Sequence, residues 1–202
     1  MFRKLAWRKN SIREIKHTWE RYIAIMAIIT LGVGFFSGLK VTRAAMVKNL
    51  DDYLNEYQMY DYQLISTLGL TGDDEQFFDM QNGITAQGAV SVDFITDIGE
   101  ADNQVVLKAH SITDSVNILN VLEGRMPQSG KECVLDARFF SGDIIGTKIS
   151  PSAENDEDTL EGFAYKEYTV VGLVDSPIYL NYDRGTTKLA NGSIHAFVYI
   201  PK

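Results

Sequence analysis

YIAIMAIITLGVGFFSGL, residues 22–39, runs 18 residues without a charged side chain and is closed by Arg21 and Lys40. At the helical rise it covers about 27 Å, close to the thickness of a bilayer's hydrocarbon core. Snorkelling of Arg21 and Lys40 makes up the difference, and Trp19 and Tyr22 stand where amphipathic rings favour the headgroup region. A buried core helix is rarely apolar on every face for five turns. A cleaved signal peptide has a shorter apolar region and small residues before the cut, whereas Arg43 lies between the small residues here. The reading is an uncleaved membrane-spanning helix over 22–39.

Charge orients it. Residues 1–21 hold seven basic groups against Glu14 and Glu20, a net of +5, while residues 44–202 sum to −15 of the overall −8. The positive-inside rule puts residues 1–21 in the cytoplasm and everything after about residue 40 outside the plasma membrane. An acidic domain is repelled by phosphate backbones, so nucleic acid is not an expected partner. The mean hydropathy of −0.10 leaves room for one isolated span. A single cysteine, Cys133, excludes a disulfide framework.

Within the span Gly34 and Gly38 form a G-x-x-x-G, with Gly32 adding small surface. Such a stripe lets another helix approach closely, although glycine is common in membrane helices and flexibility explains it equally well. Before the span, Ile12, Ile15, Trp19 and Tyr22 share one helical face, which predicts a basic amphipathic helix at the cytoplasmic surface within residues 1–21. After it, Val47, Leu50, Leu54 and Tyr57 keep the helical period. A helical stalk is expected over 40–59, and an external domain over 60–202.

In that domain DYQLIST reads as a strand and Thr71 as the cap of a short helix ending at Asn82-Gly83. AVSVDFITDI alternates as a strand, with Val90, Val92, Phe94 and Ile98 on one face, and GEADNQ allows a hairpin into VVLKAHSI. A turn and strand at 131–135, a strand in GDIIGTKISP, and strands in KEYTVVGLV and SIHAFVYI follow. The acidic stretch from Glu154 to Glu161 lacks the spacing of a calcium loop and reads as a solvated loop. His17, His110 and His195 are scattered, no phosphate loop or hydrolase motif occurs, and Cys133 sits mid-strand. No catalytic, cofactor or metal residues are assigned, and the chain offers no case as an enzyme.

SIREIKHTWERYIAIMAIITLGVGFFSGLKVTRAAM followed by YDYQLISTLGLTGDD resembles the N-terminus of ABC-transporter permeases of the FtsX-like/MacB-like family. LEGRMPQSGKECVLD, GDIIGTKI and YTVVGLVDSPIYL resemble that family's extracytoplasmic core domain. The matching positions are Gly124, Arg125, Pro127 and Glu132, then Gly142 and Asp143, then Val170, Val171 and Gly172. The resemblance implies an α+β fold: a transmembrane helix extended as a stalk into a mixed α/β domain, with a porter-like strand–helix–strand layer and a second β-rich subdomain. It implies a permease component of an export or mechanotransmission system, with a separate cytoplasmic ABC ATPase that binds the ATP, further permease spans or a second permease subunit, and the lipid bilayer as partners. With one span against at least four in the family, the chain is expected to be an N-terminal portion of such a permease. The competing reading is a single-pass anchored binding or adaptor protein.

Overall fold

The computed structural model describes Arg13 and residues 18–66, 68–98 and 104–202. Most of the expected basic helix of residues 1–21, His17 included, and most of the GEADNQ turn lie outside those residues. The chain divides into two compact units, Met1–Asp52 and Tyr53–Lys202.

Helix α1 spans Trp19–Glu56 without a break through Gly32, Gly34 and Gly38, and none of its residues is buried. Its 38 residues correspond to about 57 Å. Among the described residues it is the one helix long and apolar enough to cross a membrane. An apolar, unburied surface of this length calls for an apolar surrounding. The helix closes in a Schellman-type turn, in which Met59 N–H donates to the Leu54 carbonyl at 2.9 Å and Gln58 N–H to that of Asn55 at 3.3 Å. Gln58 occupies the left-handed position (φ 48°) that glycine usually takes there.

Residues 61–66 do not form the expected strand; no ladder reaches them. Their alternating pattern suits a strand, but a strand needs a neighbour, and none of the described segments supplies one. Helix α2 (Gly72–Asp79) starts where Thr71 predicts. The Thr71 hydroxyl accepts from Asp74 N–H and the Asp74 carboxylate accepts from Thr71 N–H, a reciprocal capping box.

The remainder is one mixed sheet of seven strands. They are β1 (Ser91–Asp97), β2 (Gln104–Ser111), β3 (Asn120–Gly124), β4 (Glu132–Asp136), β5 (Lys148–Ile149), β6 (Tyr168–Asp175) and β7 (Ala196–Ile200). The order is β1-β2-β7-β4-β6-β3, with β5 paired to β6. β7 lies parallel to β2 and antiparallel to β4, so the last strand joins the early β1–β2 hairpin to the later strands. The strands of the expected porter-like layer and of the expected second β-rich subdomain therefore share one sheet. Its centre is covered on both faces: Leu107, Cys133, Leu135, Val170, Leu173 and Val198 pack on one, and Val134, Val174, Phe197 and Tyr199 on the other. Near-continuous apolar runs are what strands buried on both faces require.

Three expectations change in detail. GDIIGTKISP is a 3-10 turn at Gly142–Ile144 followed by the two residues of β5, because Gly146 takes φ 92° and breaks the extended run. Val90 precedes β1 and is exposed, while Val92, Phe94 and Ile98 face the core as expected. The acidic stretch is not simply solvated. Asp156 caps the short helix α3 (Glu157–Glu161), and Asn155 is buried, accepting from Ile95 N–H at 2.7 Å and donating to the Ile95 carbonyl at 2.8 Å. With Ser152 N–H donating to the same carbonyl, this segment covers the edge of β1 that would otherwise stand open.

β3 and β6 approach closely at Gly124 (φ 75°) and Gly172. A Cβ on Gly172 would lie 2.5 Å from the Arg125 carbonyl oxygen and 2.9 Å from that of Glu123. Gly172→Ala is expected to lower stability by about 1–3 kcal/mol through backbone displacement. Gly72→Ala, where nothing lies within 4 Å of the new atom, is expected to be near neutral. Chemical denaturation of the two variants side by side measures both.

Candidate functional site

Most of the family-motif positions meet at one end of the sheet. Gly124 ends β3 against Val171 and Gly172 of β6, and Arg125 N–H donates to the Val171 carbonyl at 3.0 Å. The Arg125 guanidinium then forks onto Glu132 at the start of β4, Nη1 to Oε2 at 2.8 Å and Nη2 to Oε1 at 2.7 Å. Glu132 also accepts from Gln128 N–H at 2.7 Å, so one carboxylate closes the whole 125–132 turn. The Arg125 hydrogen bonds, aided by that of Gln128, hold the Glu132 carboxyl down at about 2. Pro127 lies in the turn and lines a shallow cleft of about 370 Å³ together with Gln87, Ile112, Asp114, Met126 and Pro201. Gly142 lies under the Glu123 carboxylate, next to Asp143, whose side chain pairs with the Ser141 hydroxyl. Val170 is in the core. These residues make a turn lock and bring no reactive group together.

On α1, Gly32, Gly34 and Gly38 face open space. Trp19, Arg21 and Tyr22 are exposed at the start of the apolar run, and Lys40 is at its end, with Nζ 5.3 Å from the Phe36 ring centroid.

The polar centre of the domain lies among residues that carry no sequence motif. Asp136, at the end of β4, and Arg184, in the loop between β6 and β7, are both buried and joined by two hydrogen bonds, Nε to Oδ2 at 2.6 Å and Nη2 to Oδ1 at 3.1 Å. The guanidinium carbon lies 5.1 Å from the ring centroids of Phe139 and Tyr179 and 5.3 Å from that of Phe197. Arg184 Nη1 also donates to the Asn181 carbonyl. Planar stacking and bidentate pairing both need arginine rather than lysine. Beside this pair His110 Nε2 is hydrogen-bonded to the Tyr179 hydroxyl at 2.7 Å, and the imidazole stacks on Tyr199. Tyr199 in turn shares a 2.8 Å hydrogen bond with Ser176. Burial, helped by Lys108, pushes the His110 imidazole down to about 4; burial also pushes the Tyr199 hydroxyl up to about 12 and raises Tyr179. All three are therefore neutral at physiological pH and hold the loop in place.

A second junction joins the exit of α1 to the loop before β3. Asn117 N–H donates to the Gln58 carbonyl and Ile118 N–H to the Tyr57 carbonyl, each at 2.8 Å, while Tyr60 N–H donates to Asn117 Oδ1 at 3.1 Å. Asn117 is itself left-handed (φ 54°). Asparagine tolerates this conformation better than most residues, and here its amide is committed to the junction. Sequence reasoning missed Asp136, Arg184, His110, Tyr179 and Asn117 as a set because they come together from separate elements. Among the described residues no cluster of His, Cys, Asp or Glu could hold a metal ion.

No protein-family model and no curated protein matches the chain. Two solved structures are similar to it. One is the extracellular domain of the noncanonic ABC-type transporter YknZ from Gram-positive bacteria, 14% identical, with 72% of this chain and 70% of that chain covered and a TM-score of 0.41. The other is a domain of a candidate permease protein from Porphyromonas gingivalis, 16% identical, with 57% and 50% covered and a TM-score of 0.33. At these scores neither likeness assigns an activity.

Arg184→Met leaves Asp136 buried without its partner, and the expected loss is about 3–5 kcal/mol. Asp136→Leu combined with Arg184→Met removes both charges and is expected to recover part of it, which a double-mutant denaturation cycle measures. Acidification gives a separate signature. Between pH 6.5 and about 4 the unfolded chain binds a proton that buried His110 refuses, so stability is present above pH 6.5 and falls as pH drops toward 4, by roughly 3 kcal/mol in all. His110→Gln is expected to flatten the decline above pH 4.5, before the carboxylates begin to titrate.

Proposed function

We propose that the chain is a membrane-anchored permease component of an ABC-type export or mechanotransmission system, whose external domain is moved by a separate cytoplasmic ATPase. The observation that carries this reading is α1. It is apolar over a membrane-spanning length and continues to Glu56 without a proline or a flexible break, ending in a turn that is hydrogen-bonded to Asn117 and Ile118. An inert anchor needs only the apolar run, whereas a part that relays displacement needs helix beyond it. The basic N-terminus and the acidic residues beyond 44 support an orientation with residues 1–21 in the cytoplasm and residues 53–202 outside. In this reading Gly32, Gly34 and Gly38 face further permease spans or a second permease subunit, Trp19, Arg21, Tyr22 and Lys40 settle the helix ends at the bilayer surfaces, and the 125–132 lock keeps the far end of the sheet rigid. No cofactor is assigned to the chain itself; ATP belongs to the partner. A single-pass binding or adaptor role is the second reading, favoured by the uncovered apolar side chains between Tyr62 and Met80.

Cys133 is fully buried, and burial pushes its thiol up to about 12, so an introduced cysteine can be labelled selectively. Asp61→Cys is expected to react with a membrane-impermeant maleimide in intact cells, and crosslinked membranes are expected to yield an ATP-binding subunit. Labelling only after lysis overturns the orientation. Recovery of a lone monomer with correct labelling overturns the permease role and leaves the anchored-adaptor reading.

A further inference from the structure

Among the described residues, 61–66 and 68–90 contribute no side chain to the core clusters. Among the described residues, 61–65 make no backbone hydrogen bond to any other segment. Tyr62, Leu64, Ile65, Leu68, Phe77 and Met80 are all exposed, Tyr62 at 90% and Leu68 at 97%. Phe77 and Met80 are three residues apart at the end of α2 and its cap, on one side of the helix.

The segment is nevertheless held at both ends. Tyr60 N–H is fixed to Asn117 Oδ1. At the other end Gln87 Oε1 accepts from the N–H groups of Asp114, Ser115 and Val116 at 3.1, 3.0 and 3.2 Å. Val90 and Ser111 then close the excursion, Ser111 N–H donating to the Val90 carbonyl at 3.0 Å and Val90 N–H to Ser111 Oγ at 2.9 Å. An anchored stretch with free backbone donors and acceptors and several uncovered apolar side chains has the features of a surface that takes an added strand.

Charge selects the occupant. Residues 61–90 contain Asp61, Asp73, Asp74, Glu75 and Asp79 and no lysine or arginine. The α2 N-terminus is already satisfied by Thr71 and Asp74, so these carboxylates are not balanced by an unfilled anion site. A second copy of the domain is a poor occupant, since residues 53–202 hold 23 acidic against 9 basic side chains. Anionic lipid is repelled for the same reason. We infer that residues 61–90 form a docking surface for an extended, cationic amphipathic protein segment, whose backbone pairs with residues 61–66 and whose lysine or arginine side chains meet the carboxylates around α2. This inference does not rest on the permease reading, because the surface and its charge are the same for an anchored adaptor.

The test uses the full chain in zwitterionic-lipid nanodiscs at about 0.15 M salt, with two fluorescent peptides of about ten residues, one alternating Leu and Lys and the other Leu and Glu. The lysine peptide is expected to bind about tenfold or more tightly than the glutamate peptide and to weaken as salt rises. It is also expected to slow amide exchange across residues 62–65 about tenfold. The exposed double variant Asp61→Lys with Asp73→Lys, checked for unchanged circular dichroism, is expected to lose the preference. Ile65→Asp is expected to weaken the lysine peptide without changing the fold. Equal binding of the two peptides overturns the inference, as does binding without protection at 62–65. Protection that appears without peptide as the chain dimerises, or on adding phosphatidylglycerol vesicles alone, assigns the surface to a second copy or to lipid and overturns it equally.

Discussion

The buried pair of Asp136 and Arg184 is the interaction on which the rest of the domain depends. Asp136 ends a central strand, and Arg184 belongs to the long connection that must cross from β6 before the chain can return as β7. Burying two charges costs several kcal/mol each unless both are fully engaged. Here they are: the carboxylate accepts from Nε and Nη2 along one edge of the guanidinium, and three aromatic rings lie about it. Once the connection is pinned, Tyr179 meets His110 on β2 and Ser176 meets Tyr199 on β7. The pair thus decides where the loop lies, and through it how one face of the sheet is sealed.

That sealing explains why the last strand can occupy the middle. β7 is buried throughout and sits between β2 and β4, so the hairpin formed early in the chain joins the later strands only when residues 196–200 arrive. Its side chains divide by parity: Ala196, Val198 and Ile200 serve one core, and Phe197 and Tyr199 the other. At the periphery, edges are handled locally. Asn155 and Ser152 cover β1, and the Arg125–Glu132 fork stiffens the turn between β3 and β4. The contrast is residues 61–66, where strand-like sequence meets no cover at all.

The same contrast bears on function. The domain's centre holds a buried ion pair, and its charge is strongly negative. The junction at Gln58 and Asn117, both held in left-handed backbone, ties the end of α1 to the loop feeding β3. In the buried network His110, Tyr179 and Tyr199 are kept neutral by burial, His110 and Tyr179 sharing one hydrogen bond and Tyr199 sharing another with Ser176.

What the sequence determined by itself was local. An uncharged 18-residue run flanked by Arg21 and Lys40 needs no tertiary information to become a helix of membrane length, and its period carries it on to Glu56. The Thr71–Asp74 cap is equally local, because both hydrogen bonds close within four residues. The strand at 91–97 was legible from its alternation and those at 104–111, 132–136, 168–175 and 196–200 from their apolar runs, since burial leaves a mark on composition. Tertiary structure alone decided the strand order, the absence of a strand at 61–66 and the pairing of Asp136 with Arg184. Each depends on which distant segment arrives as neighbour, and a ladder or a buried charge acquires its energy only from that neighbour. The membrane-length helix could be read from its own residues because its surroundings act on every face alike; the polar centre could not, because its partners lie 48 residues apart.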